Sequence, residues 1–257
     1  MAIPLSWVTE APLVIAHRGA SSLAPENTHS AFRLALENGA DGLEFDVKLS
    51  ADGVAVVHHD RMLDRTTNGS GLLSRQTAAA LESLDAGSSF DVSFSGEKIP
   101  TLESVFEAYG GNTLLNVELT NYGSILDDLV AVVSDMVSAY ALEDTVLLSS
   151  FSPLALIQAA KKNPGVRRAL LLQSRSPRIY QALAVKAVKA DDIHPAAALI
   201  SQAFVHRQRS SGRLVRAWTV NDPDEIIGYF RMGVHAVITD DPGAASSARL
   251  QFLEEMR

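Results

Sequence analysis

The 257-residue chain contains no cysteine. Disulfides and thiolate metal sites are therefore excluded, a composition that fits the cytosol. Long apolar runs are missing as well. Nothing approaches the ~18 uninterrupted apolar residues that read as a membrane span. Met1 to Pro12 carries no basic start and no extended apolar stretch, so an export signal is not expected and the cytoplasm is the expected compartment. Positive charge is scarce: 22 Lys and Arg stand against 30 Asp and Glu, a net charge of −8. Nucleic acids and anionic membranes would be repelled by such a surface. Neither a nucleic-acid partner nor stable membrane association is expected. Composition is silent on the oligomeric state.

What the chain does have is apolar bulk, 47% of its residues. The length suits a single α/β domain spanning residues 1–257. Short runs rich in Val, Ile and Leu alternate with helix-period segments. The predicted strands are Leu13–His17, Gly42–Val47, Thr113–Leu119, Thr145–Ser149, Val166–Leu172, Ala187–Asp191, Leu214–Val220 and Ala236–Thr239. Eight strands at this chain length predict a (β/α)₈ TIM barrel. A ninth run, Val54–His58, follows Gly42–Val47 too closely for a parallel crossover and predicts an antiparallel hairpin. A turn centred near Ala51-Asp52 would set Glu44 roughly opposite His59. Residues 61–98, rich in Gly, Ser and Thr, read as a small insertion after the second barrel strand, which makes the barrel a distorted one. Asn27 is the expected N-cap of a helix over Thr28–Asn38, and Ser152-Pro153 and Asp222-Pro223 read as two further helix starts.

Chemistry concentrates between Ala16 and Gly69. His17, Glu44, Asp46 and Glu118 all fall near the carboxyl ends of predicted strands, which converge on one mouth in this fold. Glu44 and Asp46 share a strand face because they are two residues apart, while Leu43, Phe45 and Val47 make the other face apolar. Three converging carboxylates repel one another unless a cation sits among them. Hard oxygen donors point to a divalent cation, Mg²⁺ or Ca²⁺. Arg18 beside His17 offers a planar fork suited to a phosphoryl oxygen. His58 and His59 face opposite ways on a strand, and hairpin pairing favours His59 for the mouth. Phe151 and Trp218, at later strand ends, are candidates for an apolar wall in a substrate-binding role. Ordinary barrel packing explains these two equally well. His29, His194, His206 and His235 read as packing or surface residues.

These residues resemble the glycerophosphodiester phosphodiesterase family. The resemblance runs through His17-Arg18-Gly19, Pro25-Glu26-Asn27-Thr28, Glu44-Phe45-Asp46-Val47, His59-Asp60 and Leu63-Asp64-Arg65-Thr66-Thr67. Later echoes are Asn116-Val117-Glu118, Ser150-Phe151-Ser152-Pro153, Trp218-Thr219-Val220-Asn221 and Ile238-Thr239-Asp240. Together they cover about Val14 to Pro242. The resemblance implies a distorted barrel with Ca²⁺ or Mg²⁺ at Glu44, Asp46 and Glu118, and His17 and His59 as the acid–base pair. It implies a small-molecule glycerophosphodiester substrate, split into glycerol 3-phosphate and an alcohol. Related barrel phospholipases suggest His17 as base and His59 as acid; the reverse order fits the same pattern.

Two positions depart from the family. Many members place a lysine two residues after the third carboxylate, where this chain has Thr120. His235 stands where the family commonly has aspartate. Two other readings compete: the same fold acting on a lipid substrate, and a metal- or diester-binding protein without turnover. Retention of both histidines and all three carboxylates argues against the second.

Overall fold

Amphipathic helices and short apolar strands can bury their faces only against each other, and the computed structural model shows how this chain does so. It describes residues 5–120, 127–174 and 178–257. Strand β1 (Leu13–His17) leads to helix α1 (His29–Glu37), then to a hairpin of β2 (Gly42–Leu49) and β3 (Ala55–Val57). Helices α2 (Ala78–Ser83) and α3 (Leu102–Tyr109) follow. Five βα units come next: β4 (Leu114–Leu119) with α4 (Leu129–Ala139), β5 (Val146–Ser150) with α5 (Pro153–Lys162), and β6 (Arg167–Leu172) with α6 (Arg178–Val188), then two more. These two are β7 (Asp192–Pro195) with α7 (Gln202–Arg209) and β8 (Leu214–Ala217) with α8 (Pro223–Arg231). Strand β9 (Ala236–Thr239) and α9 (Pro242–Glu255) end the chain.

Strand β1 pairs in parallel with both β2 and β9, closing β1, β2 and β4 through β9 into the expected eight-stranded barrel. Strand β3 lies antiparallel on β2, outside the ring. The outward faces of β2 and β4, Phe45, Val47, Val117 and Leu119 among them, pack with Phe32, Val105 and Val133 of the surrounding helices. Residues 61–98 contribute α2 and two 3₁₀ turns, built around Leu63, Leu73, Leu81 and Ala86 and seated on Val56 and Ile99. Ser152 and Asp222 cap α5 and α8 as expected.

Three expectations are corrected. The N-cap of α1 is Thr28, whose hydroxyl accepts from the Ala31 N–H; Asn27 turns elsewhere, with φ +59°. The β2–β3 turn centres on Asp52, closed by Ser50 and Val54 with Gly53 at φ +81°, so Val47 pairs with Val57. His58 rather than His59 therefore meets β2, donating its N–H to the Asp46 carbonyl at 2.9 Å. Where a strand is expected at Ala187–Asp191, α6 ends at Val188 and a three-residue link leads to β7 at Asp192–Pro195. The apolar run misled because Val188 and Ala190 pack outside the barrel with Ile193, whereas β7 turns polar residues inward.

That inward face is the unusual part of the core. Asp192 is fully buried and accepts from Arg167 and Arg216, at 2.6 and 2.9 Å. Arg216 also donates to the Trp7 carbonyl at 2.7 Å, with its guanidinium 4.9 Å from the Trp7 ring centre. Trp7 thus closes the end of the barrel opposite the strands' carboxyl ends, its indole N–H on the Thr145 carbonyl. Burial would raise the Asp192 pKa, but the two arginines outweigh it and hold the carboxyl below its usual range. Above it sits His194, fully buried with neither ring nitrogen hydrogen-bonded. Burial pushes its pKa down to about 3, against the pull of Asp192.

A histidine buried neutral takes up a proton only on unfolding, so its contribution is fully present above about pH 6.5 and is lost as pH falls. Between pH 7 and 5, His194 should remove about 2 kcal/mol of stability. Urea denaturation at the two pH values should show a smaller loss for His194→Gln than for the wild type. Equal losses would contradict this account of the inner face.

Candidate active site

Register places the chemistry. His17 at the end of β1 pairs with Glu44, and Asp46 pairs with Glu118 across β2 and β4. Inward alternation turns Glu44, Asp46 and Glu118 to one point, where one carboxylate oxygen from each lies within 4.8 Å of the others. Glu44 and Asp46 are buried. Burial first, then the charges of Asp46 and Glu118, push the Glu44 pKa well above the carboxylate range. A cluster of hard oxygens with this much mutual repulsion fits a divalent cation such as Mg²⁺ or Ca²⁺, which would remove the repulsion.

Asp46 is oriented from outside the cluster. The Asn27 amide donates to its carboxylate at 3.1 Å, and the Arg18 guanidinium lies 3.3 Å away. Asn27 reaches this position because the chain passes through left-handed backbone at Arg18 (φ +57°), Gly19 and Asn27. Gly19 is required there, since a Cβ would fall 2.6 Å from the Ala31 carbonyl carbon. The Arg18 backbone N–H donates to the Glu44 carbonyl and carboxylate, and its side chain to Glu26 at 2.9 Å.

Each candidate histidine is held at Nδ1 by an aspartate. His17 meets Asp240 at 2.6 Å and His59 meets Asp60 at 2.6 Å. A neutral imidazole that donates from Nδ1 presents Nε2 as an acceptor, so both rings are set to take a proton there. Ser21 and Asn221 also donate to Asp240. Burial would raise the Asp240 pKa, but these bonds and His17 hold it at about 2. Arg65 donates to Asp60 at 2.6 Å and forks onto Glu26 at 2.7 and 2.8 Å. Its hydrogen bond is the main reason the Asp60 carboxyl lies far below its usual range. Glu26 is drawn down to about 2, where burial opposes but Arg65 and Arg18 prevail. One chain of ion pairs therefore runs from His59 through Asp60, Arg65, Glu26 and Arg18 to Asp46.

A cleft of about 530 Å³ opens beside His17, Arg18, Glu26, Asn221 and Asp240. Phe151 and Trp218 meet edge to face, 5.4 Å between ring centres. Trp218 also packs on the inner apolar column of Leu13, Ile15 and Ile238, and its indole N–H donates to the His194 carbonyl at 2.7 Å. His58 is buried, with Nε2 3.3 Å from the Met62 carbonyl, whereas the His59 side chain is 41% exposed.

A sequence profile of the glycerophosphoryl diester phosphodiesterase family matches residues 17–244. The chain belongs to that family. A glycerophosphodiester phosphodiesterase of Caldanaerobacter subterraneus is 38% identical over 235 residues, covering 90% of this chain and 94% of the relative. Among solved structures, an Oleispira antarctica phosphodiesterase in complex with the product sn-glycerol-3-phosphate superposes with a TM-score of 0.85 at 33% identity, covering 93% of this chain and 96% of that one. A glycerophosphodiester phosphodiesterase from Agrobacterium tumefaciens gives 0.80 at 30% identity, covering 92% and 99%. Like the family, this chain is a phosphoric diester hydrolase.

Sequence reasoning on the family motifs missed the supporting groups. Asn27, Glu26 and Arg65 sit in the quoted motifs, but the Asn27–Asp46 and Arg65–Glu26 contacts span 19 and 39 residues. Asp240 lies 223 residues from His17. Lys48 stands two residues after Asp46, on the same strand face.

The Asn27 contact generates a test. Outer partners of metal ligands typically contribute 10- to 100-fold in affinity. Asn27→Gly keeps the left-handed backbone and removes the amide, and should weaken Ca²⁺ binding about tenfold by isothermal titration calorimetry. Unchanged affinity would show that Asp46 needs no such support.

Proposed function

We propose that this family member hydrolyses glycerophosphodiesters to sn-glycerol 3-phosphate and an alcohol, with the whole chain acting as one barrel domain. The observation that carries the reading is the triple-carboxylate cluster at the mouth where β1 ends in His17, together with the Nδ1–aspartate contacts of His17 and His59. The product-bound Oleispira relative supports glycerol 3-phosphate as the shared product. Glu44, Asp46 and Glu118 would hold Mg²⁺ or Ca²⁺, which when bound supplies positive charge to offset that of the phosphoryl oxygens. Arg18, at the same mouth, adds a guanidinium for a phosphoryl oxygen. His17 takes a proton at Nε2 from the glycerol C2 hydroxyl, which attacks phosphorus while a protonated His59 gives its proton to the departing alcohol oxygen. Water then opens the cyclic phosphate, its proton returning to His59 while His17 reprotonates the C2 oxygen. Asp240 and Asp60 fix the two rings and stabilise the imidazolium form of each. Phe151 and Trp218 provide an apolar wall for the glycerol carbons.

The acidic chain favours a small water-soluble diester over nucleic acid or an anionic membrane. Among the described residues no helix is long and apolar enough to cross a membrane. We place the reaction in the cytoplasm, with which a cysteine-free chain agrees.

Release of glycerol 3-phosphate from glycerophosphocholine should disappear on metal stripping and return with Mg²⁺ or Ca²⁺. Lysophosphatidylcholine should be a poor substrate, and the reverse preference would assign a lipid role. Loss of general acid–base catalysis costs about 10²–10⁴ in rate, so His17→Ala and His59→Ala should each lose at least about 100-fold in kcat. Both should keep their Ca²⁺ affinity. Near-normal turnover in both variants would overturn the assignment.

A further inference from the structure

Thr120 occupies the position where the resemblance leads one to expect a lysine, yet the structure brings a lysine to the same place from the neighbouring strand. Asp46 pairs with Glu118 and Val47 with Leu119, so one further step along the register sets Lys48 beside Thr120. The Lys48 ammonium donates to the Thr120 hydroxyl at 2.7 Å, and that hydroxyl donates to the Val47 carbonyl at 2.7 Å. Lys48 shares the inward face of Glu44 and Asp46, and its charge is within reach of Asp46, Glu118 and Asp60. It is half-buried, and among the described residues no carboxylate lies within ion-pair distance of its ammonium. An ammonium carries three donors, and Thr120 is its one hydrogen-bond partner among the described residues.

We propose that Lys48 is a second substrate-binding cation of this mouth beside Arg18, contacting a non-bridging phosphoryl oxygen of the diester, with Thr120 as the strut that aims it. A lysine at either position would project into the same space, because the two side chains are lateral neighbours on one face of paired strands. Two lysines there would repel each other, whereas the threonine hydroxyl accepts the ammonium and anchors it to the backbone. Thr120 thus moves the positive charge from β4 to β2 rather than removing it. Lysine serves a phosphate as a compact point charge, and the position needs charge more than a fork.

The inference rests on the phosphodiesterase reading and is separable from it. Sn-glycerol 3-phosphate and Ca²⁺ would each be titrated calorimetrically, alongside KM and kcat for glycerophosphocholine. The proteins are the wild type, Lys48→Gln, and Lys48→Gln combined with Thr120→Lys. Lys48→Gln should weaken glycerol 3-phosphate at least about tenfold, the usual scale for a charged hydrogen bond, and raise KM. Its Ca²⁺ affinity should hold or tighten, because a positive charge beside the carboxylates has gone; a merely structural role would loosen it. Moving the lysine to position 120 should restore most of the lost product affinity. Product affinity and KM within about twofold of wild type in Lys48→Gln would overturn the inference while leaving wild-type turnover, and the reading beneath it, intact. Failure of the double variant to recover product affinity while Ca²⁺ still binds would also overturn it. A wild type that neither turns over the diester nor binds the product would sink both.

Discussion

Closure of the barrel between β1 and β2 is the constraint on which the site depends. The hydrogen bonds of that pairing set His17 beside Glu44, and the adjoining β2–β4 ladder sets Asp46 beside Glu118. A slip of one residue in either ladder would turn the acids toward the helices, where Phe45, Val47 and Val117 now pack. Apolar burial on the outside of the barrel therefore holds the polar geometry on the inside. The hydrophobic layer and the acidic mouth are two faces of the same strands.

Electrostatics decides what that geometry can tolerate. At the closed end, Asp192 is matched by Arg167 and Arg216, and the network is sealed by Trp7. At the open end, three carboxylates converge, and the nearby arginine Arg18 is shared between Asp46 and Glu26. At the one end the carboxylate is paired within the protein; at the other the cluster of carboxylates fits a divalent cation. The run of ion pairs from Asp46 to His59 ties the metal-ligand candidates to a proton-transfer candidate without a shared backbone element. Its members come from the loop after β1, from β2 itself and from the segment that follows β3.

Much of this was legible beforehand. Seven of the eight barrel strands were located from apolar runs, because their outward faces are mainly apolar and pack against the helices. Strand β7 was not, since its inward residues are Asp192 and His194 and its apolar neighbours belong to a helix end. The carboxylates and histidines of the site announced themselves by motif and by two-residue spacing. The residues that aim them did not: Asn27 read as a helix cap, and Asp240 as one member of a late echo. Their roles arise from hydrogen bonds that span 19 and 223 residues. Local pattern carries no record of such distances.

The sequence alone determined the barrel, the hairpin, the family resemblance and the set of chemical groups available, because strand period and motif order are local properties of a chain. Tertiary structure alone decided which group meets which. Asp240 serves His17, Asp60 shares Arg65 with Glu26, and Lys48 reaches Thr120. Each of these meetings depends on ring closure and register, which bring residues distant in the chain within hydrogen-bond reach. The absent lysine shows the difference most clearly. Along the chain, Thr120 is a lost charge; across the paired strands, the charge stands on the neighbouring strand, 2.7 Å from its hydroxyl.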